Sequence, residues 1–298
     1  MVIKTLNTQN PFSDYGQLIK GKRFAGRKQE IQAIRNRVIG ESFGNIAVMG
    51  MPRVGKSNLA FQALMTLKEE QFAKRNIIIF VYVGKFSSSL DFFKHLTSSV
   101  LEDLKQNVTD ENVELINKLK NKYEDIKSSI IDRYEFNENI ERFFKLLHRY
   151  NYRATYILDE FDRAVDLFSE ADFQNLRNIS SQVEWKICIV TLSRRTIQEI
   201  ELQNGAISSL SGVFSDLRLG LFSKEDFNEY WHIVKSFEIE ISEDYKRQVK
   251  YLVGHHPFLI DLYNYEACNL ISNQKEVSSD SLSLKIESEL KLNLYDNF

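Results

Sequence analysis

The 298-residue sequence contains few cysteines, few prolines and no long apolar run. Its two cysteines, Cys188 and Cys268, are too few for a disulfide framework and favour a reducing compartment. Only three prolines interrupt the chain, which favours long helices. No apolar run approaches the ~18 residues of a membrane-spanning helix, and residues 1–10 lack the layout of a signal peptide. We therefore expect a cytoplasmic protein.

The sequence also lacks an excess of either charge. Charged residues make up 27% of the chain and the net charge is −2, which gives no overall attraction to nucleic acid or to an anionic membrane. A local basic patch stays open as an alternative. The hydrophobic fraction of 43% is ample for a packed core and indicates one large or two smaller domains.

Short apolar runs alternate with helical patterns through most of the chain. The predicted strands are Asn45–Met49, Asn76–Val83, Ala154–Leu158, Lys186–Leu192 and Leu217–Leu221. The predicted helices between them include Ser57–Glu70, Leu90–Gln106, Asn112–Ile130 and a helix capped by Asn137. This alternation predicts an α/β fold with a parallel five-stranded sheet flanked by helices.

The pattern changes after Phe222 to helices alone. Residues 223–226 (S-K-E-D) resemble a capping box, Ser242 is a second candidate cap, and Ser281–Tyr295 is the last predicted helix. A helix break at Gly254 precedes a helix that opens at Pro257. We expect an α/β domain over residues 1–222, with residues 1–26 as a lead-in, and a small helical domain over residues 223–298.

Residues 50–57 read G-M-P-R-V-G-K-S and match the pattern G-x-x-x-x-G-K-S. Backbone N–H groups of such a loop converge on phosphate oxygens, and its glycines allow the close approach and the unusual dihedral angles. Lys56 is expected to bind the β- and γ-phosphates, and Ser57 to bind Mg²⁺. The alternative is an ordinary strand–turn–helix joint. The apolar strand before the loop and the amphipathic helix after it favour nucleotide binding.

Two carboxylates, Asp159 and Glu160, follow the apolar run Tyr156–Leu158. Parallel sheets place their ligands at the carboxyl ends of strands, so Asp159 is expected to hold Mg²⁺ and Glu160 to orient or deprotonate the attacking water. The alternative is a strand that ends at a helix N-terminus, where acidic groups favour the helix dipole. The phosphate-loop pattern upstream favours the catalytic interpretation.

The spacing between the two motifs predicts the order of the strands. About a hundred residues separate Lys56 from Asp159, and they contain one strand candidate, Asn76–Val83. This spacing indicates an extra strand between the phosphate-loop strand and the acidic strand, an order that characterises the additional-strand class of P-loop ATPases.

A third polar group follows the run Ile189–Leu192, where Ser193, Arg194 and Arg195 end a predicted strand. If this strand lies beside the phosphate-loop strand, Arg194 is expected to sense the γ-phosphate. A solvated arginine pair is the alternative. The histidine pair at 255–256 has no further candidate ligands at a suitable spacing, which argues against a metal site there.

Five motifs in this order resemble the STAND class of signalling ATPases, close to AAA+ proteins of the origin-recognition type and to bacterial AAA-like ATP-binding proteins. They are N-P-F at 10–12 with R-F-A-G-R at 23–27, the loop at 50–57, L-D-E-F-D at 158–162, T-L-S-R at 191–194 and G-H-H-P-F at 254–258. The resemblance implies that the first segment wraps the adenine and ribose and that Pro257 packs near the base. The implied cofactors are ATP or ADP with Mg²⁺.

The motifs and the resemblance together define the expected site. The expected nucleotide-binding residues are Phe12, Phe24, Gly26, Arg27, Gly50, Pro52, Arg53, Val54, Gly55, Lys56, Ser57, Asn58 and Pro257. The expected catalytic residues are Glu160, Lys56 and Arg194, and the expected metal ligands are Ser57 and Asp159.

The resemblance implies a regulatory ATP switch in signalling or antiphage defence, acting as a homo-oligomer or with an effector protein. A DNA-associated ATPase, such as a loader, an origin-recognition protein or a transposition helper, is the alternative, and the near-neutral charge counts against it. A nucleotide binder without turnover is a third possibility, against which Glu160 argues. Family members usually continue into a winged-helix domain, so we expect a fragment or a module that depends on a partner.

Overall fold

The computed structural model describes residues 10–19, 21–40, 43–69, 75–129, 132–182, 185, 187–205, 209–237, 239, 241–272, 282, 284, 287 and 288. The chain divides into two compact units. The sheet unit comprises residues 31–49 and 63–218, and the helical unit comprises residues 1–30, 50–62 and 219–298. The predicted domain boundary between residues 222 and 223 stays a prediction.

The sheet unit is built on five parallel strands, as predicted. These are β1 (Asn45–Met49), β2 (Asn76–Tyr82), β3 (Arg153–Asp159), β4 (Cys188–Ser193) and β5 (Phe214–Arg218). Their order is β2-β3-β4-β1-β5. The extra strand between β1 and the acidic strand β3 is therefore β4, whereas the strand in the intervening sequence, β2, lies at the sheet edge. Because all strands are parallel, their carboxyl ends share one edge of the sheet.

Two predicted boundaries in this unit are wrong. β5 begins at Phe214 rather than Leu217, because it is a half-exposed edge strand whose apolar pattern is weak. The helix expected to start at Asn137 begins at Arg133, since the carboxylate of Asp132 accepts bonds from two backbone N–H groups of its first turn. The predicted first residue of β4, Lys186, lies outside the described residues.

Helices cover this sheet and carry its apolar core. They are α3 (Ser89–Gln106), α4 (Val113–Ser128), α5 (Arg133–Arg149), α6 (Ala164–Leu167), α7 (Glu170–Ser181) and α8 (Ile197–Gln203), with α1 (Lys28–Val38) leading into the unit. Phe168 packs edge-on against Phe92 and Phe173. Within the described part of the chain, no helix is both long and apolar enough to cross a membrane.

The helical unit contains the predicted caps. Its helices are α9 (Lys224–Lys235), α10 (Glu243–Val253) and α11 (Pro257–Ser272), and α2 (Lys56–Leu64) begins in it. Ser223 and Asp226 form the predicted capping box, and Ser242 caps α10. Gly254, at φ 62°, ends α10 before Pro257 opens α11. The last predicted helix, residues 281–295, lies almost entirely outside the described residues.

Candidate functional site

The loop at 50–57 connects β1 to α2, as its sequence predicts. Arg53 and Gly55 have φ angles of 60° and 98°, in the left-handed region. At Gly50 a Cβ atom would lie 2.5 Å from the carbonyl oxygen of Leu219, so only glycine fits there. The loop therefore has the tight backbone that lets N–H groups turn toward one point.

Lys56 is the first residue of α2 and its ammonium lies against the loop. Nζ donates to the carbonyl oxygens of Gly50 and Met51, at 2.8 and 2.9 Å. Ser57 follows in the same first turn, where the helix dipole is positive. These are groups that an anionic phosphate prefers, and phosphate oxygens would take over the bonds of Lys56 to the carbonyls.

A cavity of the helical unit is lined by the loop, the lead-in and α11 together. Among the residues expected to bind nucleotide, Phe24, Arg27, Val54, Gly55, Asn58 and Pro257 line it. Phe12 does not: it is buried in the core of the unit, with the guanidinium of Arg23 5.6 Å from its ring. The structure thus brings residues from three distant segments to one pocket.

Arg27 holds the segment that precedes α9. Its guanidinium donates to the carbonyl oxygens of Gly220 and Leu221, at 2.6 and 3.2 Å, and lies 5.0 Å from the ring of Phe222. Its backbone N–H donates to Asp226, at 2.8 Å. The guanidinium therefore fixes this wall of the cavity through protein contacts.

Gly26 is required by the same carboxylate. It has a φ of 68°, and a Cβ atom there would lie 2.3 Å from Oδ1 of Asp226 and 2.6 Å from its Cβ. Asp226 therefore serves both the capping box of α9 and the turn at residues 26 and 27. The capping pattern predicted the first role and gave no sign of the second.

A buried ion pair lies in the cavity lining. Arg23 donates to both carboxylate oxygens of Asp261, at 3.1 Å each, and also pairs with Asp14, at 2.6 Å. Tyr230 donates to Asp261, at 2.9 Å. Burial alone would lower the pKa of Arg23, but the two carboxylates outweigh it and raise that pKa. Burial raises the pKa of Asp261, against the opposing effect of Arg23. Sequence reasoning missed this pair, whose members lie 238 residues apart.

The acidic end of β3 makes a sharp turn. Asp159, 6% exposed, ends the strand, and its Oδ1 accepts a bond from the backbone N–H of Glu160, at 2.9 Å. Glu160 has a left-handed backbone, with φ 55°. A Cβ atom at Gly84 would lie 2.9 Å from Oε2 of Glu160, so the carboxylate lies against the backbone that follows β2. A carboxylate such as that of Asp159 is an oxygen ligand of the kind that Mg²⁺ prefers.

The predicted sensor turn follows β4, which pairs with β1 so that Ser193 lies opposite Met49. The carboxylate of Asp162 accepts bonds from the backbone N–H groups of Arg194 and Arg195, at 2.8 and 3.3 Å. It also pairs with Nε of Arg195, at 3.1 Å. The Arg194 side chain is exposed, whereas that of Arg195 is committed to Asp162. Asp162 therefore links the turns after β3 and β4, a role that its position in the sequence did not indicate.

The histidine pair is part of the helical unit's packing. Nδ1 of His255 lies 2.9 Å from the carbonyl oxygen of Phe222, and its ring stacks on Phe227 with centroids 4.7 Å apart. Burial lowers the pKa of His256, so its neutral form is favoured. These contacts tie the break between α10 and α11 to the start of α9.

Comparison with known families and sequences gives one match. Residues 40–196, more than half of the 298, match the family model described as "AAA domain". Comparison with curated protein sequences gives no significant match.

Several solved structures share this fold. A Walker-type ATPase of Pyrococcus abyssi has a TM-score of 0.62 and 12% identity, over 92% of this chain and 75% of that one. The ORC1 protein of Aeropyrum pernix, solved in complex with DNA, has a TM-score of 0.57 and 14% identity, over 90% of this chain. Cdc6p of Pyrobaculum aerophilum has a TM-score of 0.54 and 11% identity, over 90% of this chain and 67% of that one. The chain spans 66% of the length of the ORC1 protein.

Proposed function

Given that this chain belongs to the AAA domain family, whose members are P-loop ATPases, we propose that it binds ATP with Mg²⁺ and hydrolyses it slowly. The observation that carries the proposal is the phosphate loop between β1 and α2, with Lys56 and Ser57 in the first turn of the helix. A strand–tight loop–helix joint with this residue pattern presents backbone N–H groups, an ammonium and a helix dipole to phosphate.

The phosphate side of the proposed site has a role for each polar group. Lys56 binds the β- and γ-phosphates, and Ser57 and Asp159 hold Mg²⁺, which neutralises charge on the phosphates when bound. Glu160 orients or deprotonates the attacking water, and Arg194 senses the γ-phosphate. The bonds of Lys56 to loop carbonyls and the turn at Glu160 support these assignments.

The base side is proposed to be the cavity of the helical unit. Phe24, Arg27 and Pro257 line it beside Val54 and Gly55 of the loop. The walls combine apolar side chains with the buried pair of Arg23 and Asp261, so the cavity offers both packing surface and polar groups to a ligand. Phe12 contributes indirectly, because its ring packs against the guanidinium of Arg23. Gly26 contributes indirectly, because it lets the turn approach Asp226 closely.

We further propose that the chain is a regulatory switch of the STAND class, acting in the cytoplasm. ATP then shifts the population toward an assembling state, provided that it binds that state more tightly than the resting one. The motif at residues 254–258 supports this proposal, because its Pro257 lines the same cavity as Val54 and Gly55 of the phosphate loop. Measuring the particle size of the protein with ATP and with ADP tests this proposal. Unchanged assembly of a Lys56→Ala variant in ATP would contradict a switch.

ATP turnover on the purified chain tests the ATPase. Lys56→Ala and Glu160→Gln are each expected to abolish turnover, and Glu160→Gln is expected to retain ATP binding. Glu102→Gln, a change to an exposed glutamate of α3, is the matched control and should turn ATP over normally. A wild-type rate below about one per minute supports a switch, since typical enzymes run much faster. Normal turnover in the Glu160→Gln variant would exclude that residue as the base.

A DNA-associated ATPase is the second candidate, supported by the shared fold with the ORC1 protein that was solved with DNA. The net charge of −2 counts against it, since binding to duplex DNA rests mainly on phosphate contacts. Duplex binding at physiological salt that weakens on charge reversal of one face would favour this function. Absence of binding would favour the switch.

A further inference from the structure

A strap, residues 10–19, runs along the helical unit before Arg23 and contributes Ile19 to the cavity wall. Ile19 of this strap and Asn58 of α2 both line the cavity. They are joined directly, because the backbone N–H of Ile19 donates to Oδ1 of Asn58 at 2.6 Å. Nδ2 of Asn58 also donates to the carbonyl oxygen of Gln17, at 3.5 Å. One side chain of α2 thus reaches two backbone groups of the strap.

Arg53, in the phosphate loop itself, makes a second connection. Its Nη1 donates to the carbonyl oxygen of Gly16, at 3.3 Å, and its guanidinium lies 5.1 Å from the ring centroid of Phe258. Gly16 has a φ of 75°, and a Cβ atom there would lie 3.3 Å from Nη1 of Arg53. The turn at Gly16 therefore allows the close approach of this guanidinium.

The first residue of the strap and the segment after it are held differently from residues 16–19. At the start, Nδ2 of Asn10 donates to the carbonyl oxygen of Tyr265 and to Oδ1 of Asn269, both in α11. Beyond the other end, Arg23 pairs with Asp261 of the same helix. Residues 16–19 are instead bonded to side chains of the loop and α2. Loss of those bonds would release residues 16–19 while Asn10 and Arg23 stay attached to α11.

We propose that Asn58 and Arg53 are positioning residues that fasten residues 16–19 as a wall of the cavity and so set the rate at which nucleotide is released. This inference rests on the proposed function. A bound nucleotide in the cavity leaves when the wall opens, and opening breaks the bonds that Asn58 and Arg53 make. Entry of nucleotide needs the same opening, so the association rate is expected to rise together with the release rate.

Displacement of a fluorescent ADP analogue, followed by stopped flow, tests the inference. Asn58→Ala is expected to speed release about tenfold, the effect of losing about one partly buried hydrogen bond, and association should speed up by a similar factor. Arg53→Met keeps the packing on Phe258 and removes the exposed bond to Gly16, so a smaller increase of about threefold is expected. Asn58→Ala is expected to have the larger effect because the bond of Asn58 to Ile19 is 2.6 Å long and partly buried, whereas that of Arg53 to Gly16 is 3.3 Å long and exposed.

Ser242→Ala is the matched control, because it removes the cap of α10 in the same unit without touching strap or loop. Its release rate should equal that of the wild type. Release at the wild-type rate from Asn58→Ala would overturn the inference while leaving nucleotide binding intact. If Asn58→Ala does not fold, Arg53→Met decides, and unchanged release overturns the inference. A wild type that binds no nucleotide overturns this inference and the proposed function together.

Discussion

The two units use their carboxylates in different ways. In the sheet unit, Asp159 and Asp162 accept bonds from backbone N–H groups one and 32 positions away, and Asp162 also pairs with Arg195. In the helical unit, Asp226 and Asp261 bind residues 199 and 238 positions away. The sheet unit is organised by strand pairing and an aromatic core, whereas the helical unit gathers three separate segments. Buried charge therefore matters more to the integrity of the helical unit.

The largest effect is expected at the buried ion pair of the helical unit. Asp261→Ala leaves Arg23 buried with Asp14 as its remaining carboxylate, and we expect a loss of about 3 kcal/mol in unfolding free energy. Fluorescence of a Trp185→Phe background reports the helical unit, because the other tryptophan, Trp231, lies there. Tyr245→Phe, which removes one neutral bond to Asn264, should cost about 1 kcal/mol. Equal losses would contradict a dominant role for charge.

Gly26→Ala is expected to have the next largest effect, of about 2–3 kcal/mol, because the new Cβ would meet the Cβ and carboxylate of Asp226 at a left-handed turn. Gly205→Ala in the sheet unit is the control, since Gly205 has a similar φ of 75° with open space around it. That control should cost about 1 kcal/mol, the backbone strain alone. The difference between the denaturant midpoints of the two variants measures the steric clash of the new Cβ atom with Asp226. Equal losses of unfolding free energy in the two variants would rule that clash out.

The smallest effect concerns alkaline pH, which should weaken the helical unit more than the sheet unit. Burial raises the pKa of the Cys268 thiol from 9.0 to about 12, and that of Tyr263 from 10.0 to about 12. Unfolding lets these groups ionise first, so stability present below pH 9 is lost as the pH rises toward the folded pKa. Cys268 alone accounts for about 1 kcal/mol between pH 8 and pH 10.

Unfolding of the Trp185→Phe background at pH 8 and pH 10 measures this loss. Cys268→Ala should remove about 1 kcal/mol of the pH dependence while lowering stability at both values. An unchanged pH dependence in that variant would assign the effect to the buried tyrosines instead.

The parts of the molecule that were predictable from sequence are the local ones. The phosphate loop, β1 and the caps at Ser223 and Ser242 each depend on residues within a few positions, and the structure has them as expected. The edge strand β5 was misplaced because none of its residues is fully buried, which leaves its apolar pattern weak. The predicted extra strand between β1 and β3 is present, and it is β4, which follows β3 in the sequence.

The grouping of Arg27 and Pro257 around one cavity was expected from the sequence only through motif resemblance. No periodicity connects Arg23 with Asp261, or Asn58 with Ile19, because those contacts form after distant segments have come together. Asp162 was seen as a member of an acidic run, and its bonds to Arg194 and Arg195 depend on strand order. Long-range side-chain bonds carry no local pattern, so a single sequence does not reveal them.

The two carbonyl bonds of Lys56 have a consequence for anion selectivity. An incoming anion competes with the oxygens of Gly50 and Met51 for an ammonium that they already hold. A singly charged ion such as chloride offers little more than those dipoles do, while a polyphosphate carries several charges and reaches the loop N–H groups as well. Under the proposed function, the loop would thus discriminate against small monovalent anions and in favour of triphosphates.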